Sequence, residues 1–279
     1  MLQKDLKVLV LGGAGYVGSA LCEELENFEV YDLRNGQDIR NTRTVMLALQ
    51  KCDTVVHLAG TSMDPLLERD PEFTWQSNYL ANELISKFLR NTGKRIVYAS
   101  SGSVYGSQPG VCTEDGPVRP LTLYGKTKHL SEEYFLHPDV NSVVFRFATC
   151  YGRAPLTRFD TIVNKMTRDS KWNNKLVITG KDKRRSLCHV KDIVAGIKLA
   201  LEVENPPHRL YNLGSNDQNL TIEEIGKRVA AVTGAEIEFK DGPSNDNRSY
   251  AINYDRVKEL GFAPKYTIEQ AVKELYESL

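Results

Sequence analysis

A glycine-rich turn between an apolar strand and a helix constrains the fold of this chain more than any other feature. Residues Leu6–Leu11 are apolar apart from one lysine and predict a buried strand, and a helix is predicted from about Tyr16 to Glu26. Between them, Gly12, Gly15 and Gly18 form the pattern G-x-x-G-x-x-G. Glycines at these positions let the backbone turn tightly and approach a pyrophosphate at the helix N-terminus. The turn therefore predicts a dinucleotide-binding unit; the alternative is a turn that merely packs helix on strand.

The first half of the chain alternates apolar strands with amphipathic helices, which is typical of a parallel sheet with helical crossovers. The predicted strands are Glu29–Asp32, Thr54–Leu58, Arg95–Ala99 and Ser142–Arg146, and the predicted helices are Pro71–Asn91 and Tyr124–Leu136. We expect an α/β fold with a Rossmann-type doubly wound parallel sheet. Only five residues separate Asp32 from Asp38, too few for a complete crossover. The sheet should be one unit short there, with a more open adenine end.

After Tyr151-Gly152, basic and polar loops separate shorter elements. A helix at Val190–Glu202 and a strand at Arg209–Leu213 are expected to return to the main sheet. Helices are predicted at Thr221–Thr233 and Thr267–Leu279, each with threonine at the N-cap. These patterns predict an NAD-binding domain over 1–150, joined by 190–213. A smaller, interleaved C-terminal substrate lobe is expected over 151–189 and 214–279.

Charge and composition exclude several partners. Lys+Arg and Asp+Glu both number 36 in the 279 residues, so no net field attracts nucleic acid or an anionic membrane. A small anionic ligand needs only local positive charge. Met1–Asp5 lead into a strand without a signal region, and no stretch is apolar and long enough to span a bilayer. Five scattered cysteines without a CxxC pair predict reduced thiols, and we expect a cytoplasmic protein without a metal site.

An acidic residue after the second strand favours NAD as the cofactor. Asp32 lies 20 residues beyond Gly12, where a carboxylate can hold the hydroxyls of the adenosine ribose. The same carboxylate would repel the 2′-phosphate of NADP, although Arg34 nearby works slightly against that preference.

A tyrosine and a lysine one helical turn apart form the candidate catalytic group. A phenol has a pKa near 10 and is a poor base, but Lys128 shares a helix face with Tyr124 and its positive charge favours the phenolate. Tyr124 can then take a proton from a substrate hydroxyl, which Ser101 would orient. Such pairs are also common on exposed helices. The upstream serine turn and the glycine fingerprint favour the catalytic interpretation.

Seven segments together resemble one known family. They are Gly12–Gly18, Asp38–Arg40, His57–Gly60, Ser100–Gly106, Tyr124–Lys128, Arg185–Asp192 and Tyr211–Gly214. The chain resembles the extended short-chain dehydrogenases/reductases, specifically their nucleotide-sugar epimerases and dehydratases, over nearly its whole length.

The resemblance implies a role for each matching residue. Ser101, Tyr124 and Lys128 correspond to the catalytic triad, and Asn78 and His189 to structural positions. The residues that would bind NAD are Gly12, Gly15, Tyr16, Val17, Gly18, Asp32, Asp38, Ile39, Leu58, Ala59, Tyr124 and Lys128. Those that would bind the substrate are Ser101, Ser103, Thr149, Arg185 and Arg248, the two arginines at positions that usually grip its diphosphate.

Departures from the family pattern bear on the reaction. The dehydratases carry an Asp-Glu pair where this chain has Gly102 and Ser103, so 4,6-dehydration is not expected. Thr149 replaces a substrate-binding asparagine. We expect NAD-dependent epimerisation, most readily at C4, of a nucleotide-diphosphate sugar through a transient keto intermediate. A reductase or dehydrogenase of a 4-keto nucleotide sugar with exchangeable cofactor is the alternative, and a non-catalytic NAD-sensing or scaffold protein is a third hypothesis.

The two long helices also resemble those that pair between subunits in this family, which implies a homodimer. Apolar side chains are spaced along them for buried faces; these are Leu80, Leu84, Phe88, Leu130 and Tyr134. The alternative is that the same side chains only pack on the sheet.

Overall fold

The computed structural model describes residues 6–62, 70–240 and 248–279. Met1–Asp5, on which the expectation of no targeting segment rested, lie outside the described residues. The strands are β1 (Val8–Leu11), β2 (Phe28–Tyr31), β3 (Thr54–His57), β4 (Arg95–Ser101), β5 (Ser107–Cys112), β6 (Asn141–Phe147), β7 (Thr149–Tyr151), β8 (Lys175–Ile178), β9 (Arg184–His189), β10 (Leu210–Leu213), β11 (Asn219–Thr221), β12 (Glu236–Phe239) and β13 (Ser249–Ile252). The helices are α1 (Tyr16–Cys22), α2 (Thr42–Gln50), α3 (Pro71–Trp75), α4 (Ala81–Leu89), α5 (Leu123–Phe135), α6 (Ile162–Asn173), α7 (Val190–Glu202), α8 (Ile222–Thr233), α9 (Asp255–Lys258) and α10 (Ile268–Ser278).

The central sheet has the strand order β10-β6-β4-β3-β1-β2, and all of its strand pairs are parallel. Strands β1 and β3 are buried along their whole length, as continuous apolar runs in a parallel sheet must be when helices cover both faces. From β1 the chain moves to β2 on one side and then to β3 on the other. A crevice therefore opens outside the carboxyl ends of β1 and β3, where α/β proteins of this topology bind ligands.

Helices cover both faces of the sheet, which confirms the predicted doubly wound fold. On one face, Leu21 of α1 and Ile197 of α7 belong to an apolar cluster that includes Val8 and Val10 of β1. On the other face, the side chains of α2, α4 and α5 form a second cluster with Leu9.

The sheet ends at β2, as the short spacing after Asp32 predicts. Among the described residues, no strand pairs with the outer edge of β2. A 3-10 turn at Leu33–Asn35 follows, and α2 then leads directly into β3. Helix α2 was not predicted from the sequence.

The boundaries of some helices agree closely with those predicted from the sequence, and those of others differ. α7 has the predicted bounds, and Thr221 and Thr267 are N-caps that form capping boxes with the third residue of their helices. α1 ends at Cys22, before the expected Glu26, because β2 begins at Phe28 in register with Val8 and the connection needs the residues between. The long helix predicted from Pro71 contains a π-helical turn at Gln76–Leu80.

A third apolar cluster packs α6, α8 and α10 together. The small sheets β7-β9-β11 and β8-β12 contribute side chains to it, whereas the sheet β5-β13 packs its buried side chains into the first cluster. The domain boundaries at 150, 190 and 213 stay a prediction. Within the described ranges, no helix combines the length and the apolar character that crossing a membrane requires.

Candidate active site

All of the predicted site residues line one cavity of about 1060 Å³. It opens at the carboxyl ends of β1, β3 and β4. The glycine turn and Asp32 lie at its wall, together with Ser101, Tyr124 and Lys128. The structure thus brings the predicted cofactor, catalytic and substrate residues together, while their roles stay predictions.

The glycine turn admits no side chain at two of its positions. Gly12 has a φ of +85°, and a Cβ added there would lie 2.5 Å from the backbone nitrogen of Ala59. A Cβ on Gly18 would lie 2.1 Å from the carbonyl oxygen of Gly12. The absence of side chains brings α1 close against the turn and leaves its backbone accessible to a ligand. This cradle fits the pyrophosphate of a dinucleotide.

Asp32 connects the glycine turn to the end of β2. Its carboxylate accepts the backbone N–H of Ala14 at 3.0 Å and that of Arg34 at 2.9 Å. Each carboxylate oxygen has further lone pairs, so these bonds fix the group at the cavity wall without preventing it from accepting ribose hydroxyls. Asp38 lies farther along the same wall, and the Nε–H of Arg40 is shared between its two carboxylate oxygens, at 3.0 and 2.9 Å.

Two side chains hold the other segments that are predicted to bind the cofactor. The Tyr16 hydroxyl donates to the carbonyl of Gly152 at 2.6 Å and thereby joins the start of α1 to the end of β7. Asn78 bonds the backbone of Thr61 in both directions, at 2.7 and 2.9 Å. This fixes the chain that follows Leu58 and Ala59 at the cavity wall.

Helix α5 presents the candidate catalytic group. Thr122 caps it by accepting the N–H of Gly125 at 3.1 Å. Lys128 is buried, and its Nζ donates to the carbonyl of Ala99 at 2.7 Å and lies 5.9 Å from the centre of the Tyr124 ring. Burial lowers the pKa of Lys128 to about 8, although the negative charge of Glu132 opposes this. The ammonium is therefore easier to deprotonate than that of an ordinary lysine.

The Tyr124 hydroxyl is held by Ser101 and lies close to two arginines. Burial raises the pKa of Tyr124 above its ordinary value, while the hydrogen bond with Ser101 and the charges of Arg158 and Arg248 act in the opposite direction. These surroundings therefore keep the phenol protonated, and further positive charge in the cavity would favour the phenolate.

A chain of polar contacts extends from Ser101 to Arg248. Ser101 Oγ donates to Ser103 Oγ at 3.1 Å, and Arg248 Nη1 donates to the same Ser103 Oγ at 2.7 Å. Arg185 in turn donates to the backbone carbonyl of Arg248 at 2.6 Å. Both arginines line the cavity, and the guanidinium of Arg248 reaches the serine turn beside the catalytic group. Thr149 lines the cavity from β7.

Arg158 is a cavity residue that the sequence analysis missed. Its Nε donates to Asp160 at 2.9 Å, and its Nη1 donates to Ser62 Oγ at 2.7 Å. It thereby joins the loop after β7 to the loop after β3 beside Tyr124. Arg158 lies in a polar loop without periodicity or a motif, so no signal in this single sequence pointed to it. Cys150 also lines the cavity, and burial raises the pKa of its thiol to about 12.

The fold and this cavity define a class of enzyme. The sequence model of the NAD dependent epimerase/dehydratase family matches residues 8–214, and the chain belongs to that family. The resemblance to the extended short-chain dehydrogenases/reductases is thereby confirmed. The cofactor is NAD, which structural relatives contain and which the glycine cradle and Asp32 fit.

Individual relatives carry out different reactions. The chain is 27% identical, over 311 aligned positions, to UDP-glucose 4-epimerase of Lactobacillus helveticus, and the alignment covers 94% of this chain and 93% of that protein. It is 24% identical, over 316 aligned positions, to dTDP-D-glucose 4,6-dehydratase of Mus musculus, and this alignment covers 97% of this chain and 88% of that protein. It is similar to the structure of MoeE5 in complex with UDP-glucuronic acid and NAD, with a TM-score of 0.84, 27% identity, and coverage of 98% and 99%. The match to the family model establishes the family, and these relatives differ in the reaction that each catalyses.

Proposed function

We propose that this protein epimerises a nucleotide-diphosphate sugar, at C4, through a transient keto intermediate. The observation that carries the proposal is the position of Ser101, Tyr124 and Lys128 on the wall of the cavity that also contains the glycine cradle. Proton removal at a hydroxyl and hydride removal at its carbon must occur together, so the two sites must share one space.

The chain's own residues supply the proton chemistry. Ser101 orients the substrate hydroxyl, and Tyr124 takes its proton and later returns it. The Lys128 ammonium favours the phenolate form of Tyr124. The glycine turn and Asp32 would hold NAD, which would supply the acceptor for the hydride and allow its return to the other face of the sugar. Arg185 and Arg248 would hold the diphosphate while the keto-sugar turns over between the two transfers.

Dehydration receives no support from the serine turn. Water loss needs an acid and a base beside the sugar, and the two positions in question are Gly102 and Ser103. Ser103 Oγ is hydrogen-bonded to Ser101 and Arg248. A neutral hydroxyl in that position has no carboxyl proton to give or take.

Tyr124→Phe tests the mechanism directly. It removes the acid-base hydroxyl and keeps the ring, so turnover of UDP-galactose or another nucleotide sugar should fall by about a hundredfold or more. The rise in melting temperature on adding NAD should persist. Tyr276→Phe, on α10 and away from the cavity, is the matched control and should keep full activity. Full turnover by the Tyr124 variant would overturn the mechanism.

A reductase or dehydrogenase of a 4-keto nucleotide sugar is the second candidate. The edge position of β2 favours it, because the adenine side of the cavity is then less enclosed and the cofactor exchanges more easily. The nucleotide released when the purified protein is denatured separates the two candidates. Near-stoichiometric NAD supports epimerisation, whereas an empty protein that needs added nicotinamide nucleotide supports the reductase.

Homodimerisation and cytoplasmic localisation stay part of the proposal. Leu80 and Leu84 are 41% and 38% exposed, so packing on the sheet does not account for them. An apolar stripe of this kind supports a second copy as its partner.

The non-catalytic scaffold hypothesis would require the triad to be inert, and unchanged melting temperature with NAD would count against all three hypotheses.

A further inference from the structure

A buried ion pair lies directly behind the candidate catalytic group. Arg146 of β6 donates from Nε to Oε1 of Glu132 at 2.9 Å and from Nη2 to Oε2 at 2.7 Å. Glu132 is 2% exposed and Arg146 is 4% exposed. A buried pair of this kind costs desolvation energy that an apolar pair would avoid. The position of this costly ion pair, next to the candidate catalytic group, therefore suggests a role beyond packing.

The carboxylate of Glu132 is joined to the serine turn. Ser100 Oγ donates to Oε1 of Glu132 at 2.5 Å, and Ser100 immediately precedes Ser101 at the end of β4. Side chains alternate along a strand, so Ser100 faces α5 from inside the protein while Ser101 faces the cavity. The bond thus fixes the distance between the strand that carries Ser101 and the helix that carries Tyr124.

Glu132 also lies one helical turn beyond Lys128, on the same helix face. Its negative charge opposes the effect of burial on the Lys128 ammonium. The carboxylate itself stays ionised: burial acts against ionisation, but the hydrogen bonds from Arg146, His129 and Ser100 and the charge of Arg146 together outweigh it. They hold the pKa of Glu132 below its ordinary value. The network therefore keeps a permanent negative charge behind the lysine.

Lys128 and Glu132 each face a small set of charged and titratable side chains. Lys128 is faced by Tyr124 and Glu132 on its own helix, by the ring of Tyr98 at 4.9 Å on β4, and by His57 on β3. Besides Arg146 and Ser100, Glu132 has His129 on its own helix, with Nδ1 at 3.5 Å. Of these, Glu132 is the carboxylate that acts on Lys128.

We propose that Glu132 and Arg146 are positioning residues for the reaction, in which Glu132 holds the Ser101 turn against α5 and supplies the counter-charge of the Lys128 ammonium. Arg146 fixes the carboxylate in turn. Its Nη1 donates to the Tyr105 hydroxyl at 2.9 Å, and that hydroxyl donates to Asn212 of β10 at 2.7 Å. The inference deepens the proposed function and rests on it for the role of Lys128.

The test is the titration of Lys128 in the full-length protein, with and without NAD, followed by NMR of isotope-labelled lysine. Lys128→Met assigns the signal. Glu132→Gln keeps the side-chain shape and an acceptor for Ser100 but removes the charge, so the midpoint should move to lower pH by about one pH unit. Glu114→Gln is the matched control, because Glu114 is a buried carboxylate beside Arg256. It should leave the midpoint in place.

Arg146→Met separates charge from packing. If the pair acted only on packing, both single variants would change the titration in the same direction. With a charge role, Arg146→Met leaves Glu132 uncompensated and must not lower the Lys128 midpoint. Should this variant fail to fold, the double variant Glu132→Gln/Arg146→Met removes both charges and supplies a folded comparison. Its midpoint should also lie below that of the parent protein.

An unchanged Lys128 midpoint in folded Glu132→Gln would overturn the inference. Because this readout needs no substrate, it stands apart from the proposed reaction. If Tyr124→Phe loses turnover but Glu132→Gln leaves the Lys128 midpoint unchanged, the proposed function stands and the inference about Glu132 is wrong. If Tyr124→Phe keeps full turnover but Glu132→Gln lowers the midpoint, Glu132 acts on Lys128 as inferred and the proposed reaction is wrong.

Discussion

Two buried histidines connect single residues to the stability of the whole fold. His57 packs against the rings of Tyr98 and Phe135, and its Nε2 lies 2.6 Å from Oδ1 of Asn82. Asn82 uses its amide nitrogen for other donations, so Oδ1 is the acceptor and Nε2 carries the proton. Burial lowers the pKa of His57 to about 3, and burial does the same for His189. Both imidazoles are neutral in the folded chain.

The sign of the resulting pH dependence follows from these values. A histidine that is neutral when folded takes up a proton only on unfolding, so stability is intact above the ordinary histidine pKa of 6.5 and falls as pH drops below it. Between about pH 6.5 and pH 5.5 the pair should lower the free energy of unfolding by about 2 kcal/mol. Urea unfolding of the parent and of His57→Gln checks this. The variant should show about half the slope, and equal slopes would contradict the assignment.

At the same scale, the sequence predicted residues that belong to motifs and missed those that do not. Tyr124 and Lys128 are related by helical spacing, and Gly12 and Gly18 by the needs of a tight turn, so each pair is visible without a structure. The charge of Arg158 acts on Tyr124 only because its loop folds back over the cavity to Ser62. Contacts of this kind join residues far apart in the sequence, and local pattern carries no information about them.

Among elements, the glycine turn with α1 is the most sensitive to substitution. In Gly18→Ala the new methyl group would overlap the carbonyl of Gly12, so α1 must move off the turn. We expect a loss of about 3 kcal/mol of stability and of the rise in melting temperature that NAD causes. Gly110→Ala on β5 has nothing within 4 Å of the added carbon and should behave like the parent. If the Gly18→Ala variant still binds NAD, the pyrophosphate does not bind at the glycine turn and the prediction is wrong.

The elements themselves differed in how far sequence could predict them. Strands β1 and β3 are buried along their whole length, and α8 and α10 begin at threonine N-caps, so their positions were predicted within a few residues. The small strands β8, β11 and β12 were not, because they are short and partly exposed and become strands only by pairing with distant segments. The π-helical turn within the long helix likewise has no signature in the sequence.

At the scale of the whole molecule, an apolar stripe is exposed on the helical segment 71–89, beside α5. Leu80 and Leu84 are exposed beside Tyr79 and Tyr134, whose hydroxyls are joined at 2.7 Å, and Trp75 continues the apolar stripe at 37% exposure. A twofold symmetric interface would place this stripe against itself in a second copy. We therefore expect light scattering to give about twice the chain mass of 31.4 kDa.

Leu84→Glu tests this arrangement, because a charge at the centre of an apolar interface remains solvated only in the monomer. The variant should have the mass of one chain and keep its melting transition. Phe239→Glu on β12, which replaces a residue 47% exposed, should stay dimeric. A dimeric Leu84 variant would move the interface away from α4. A monomeric parent protein would mean that the stripe has another partner, and the cavity would then have to work within a single chain.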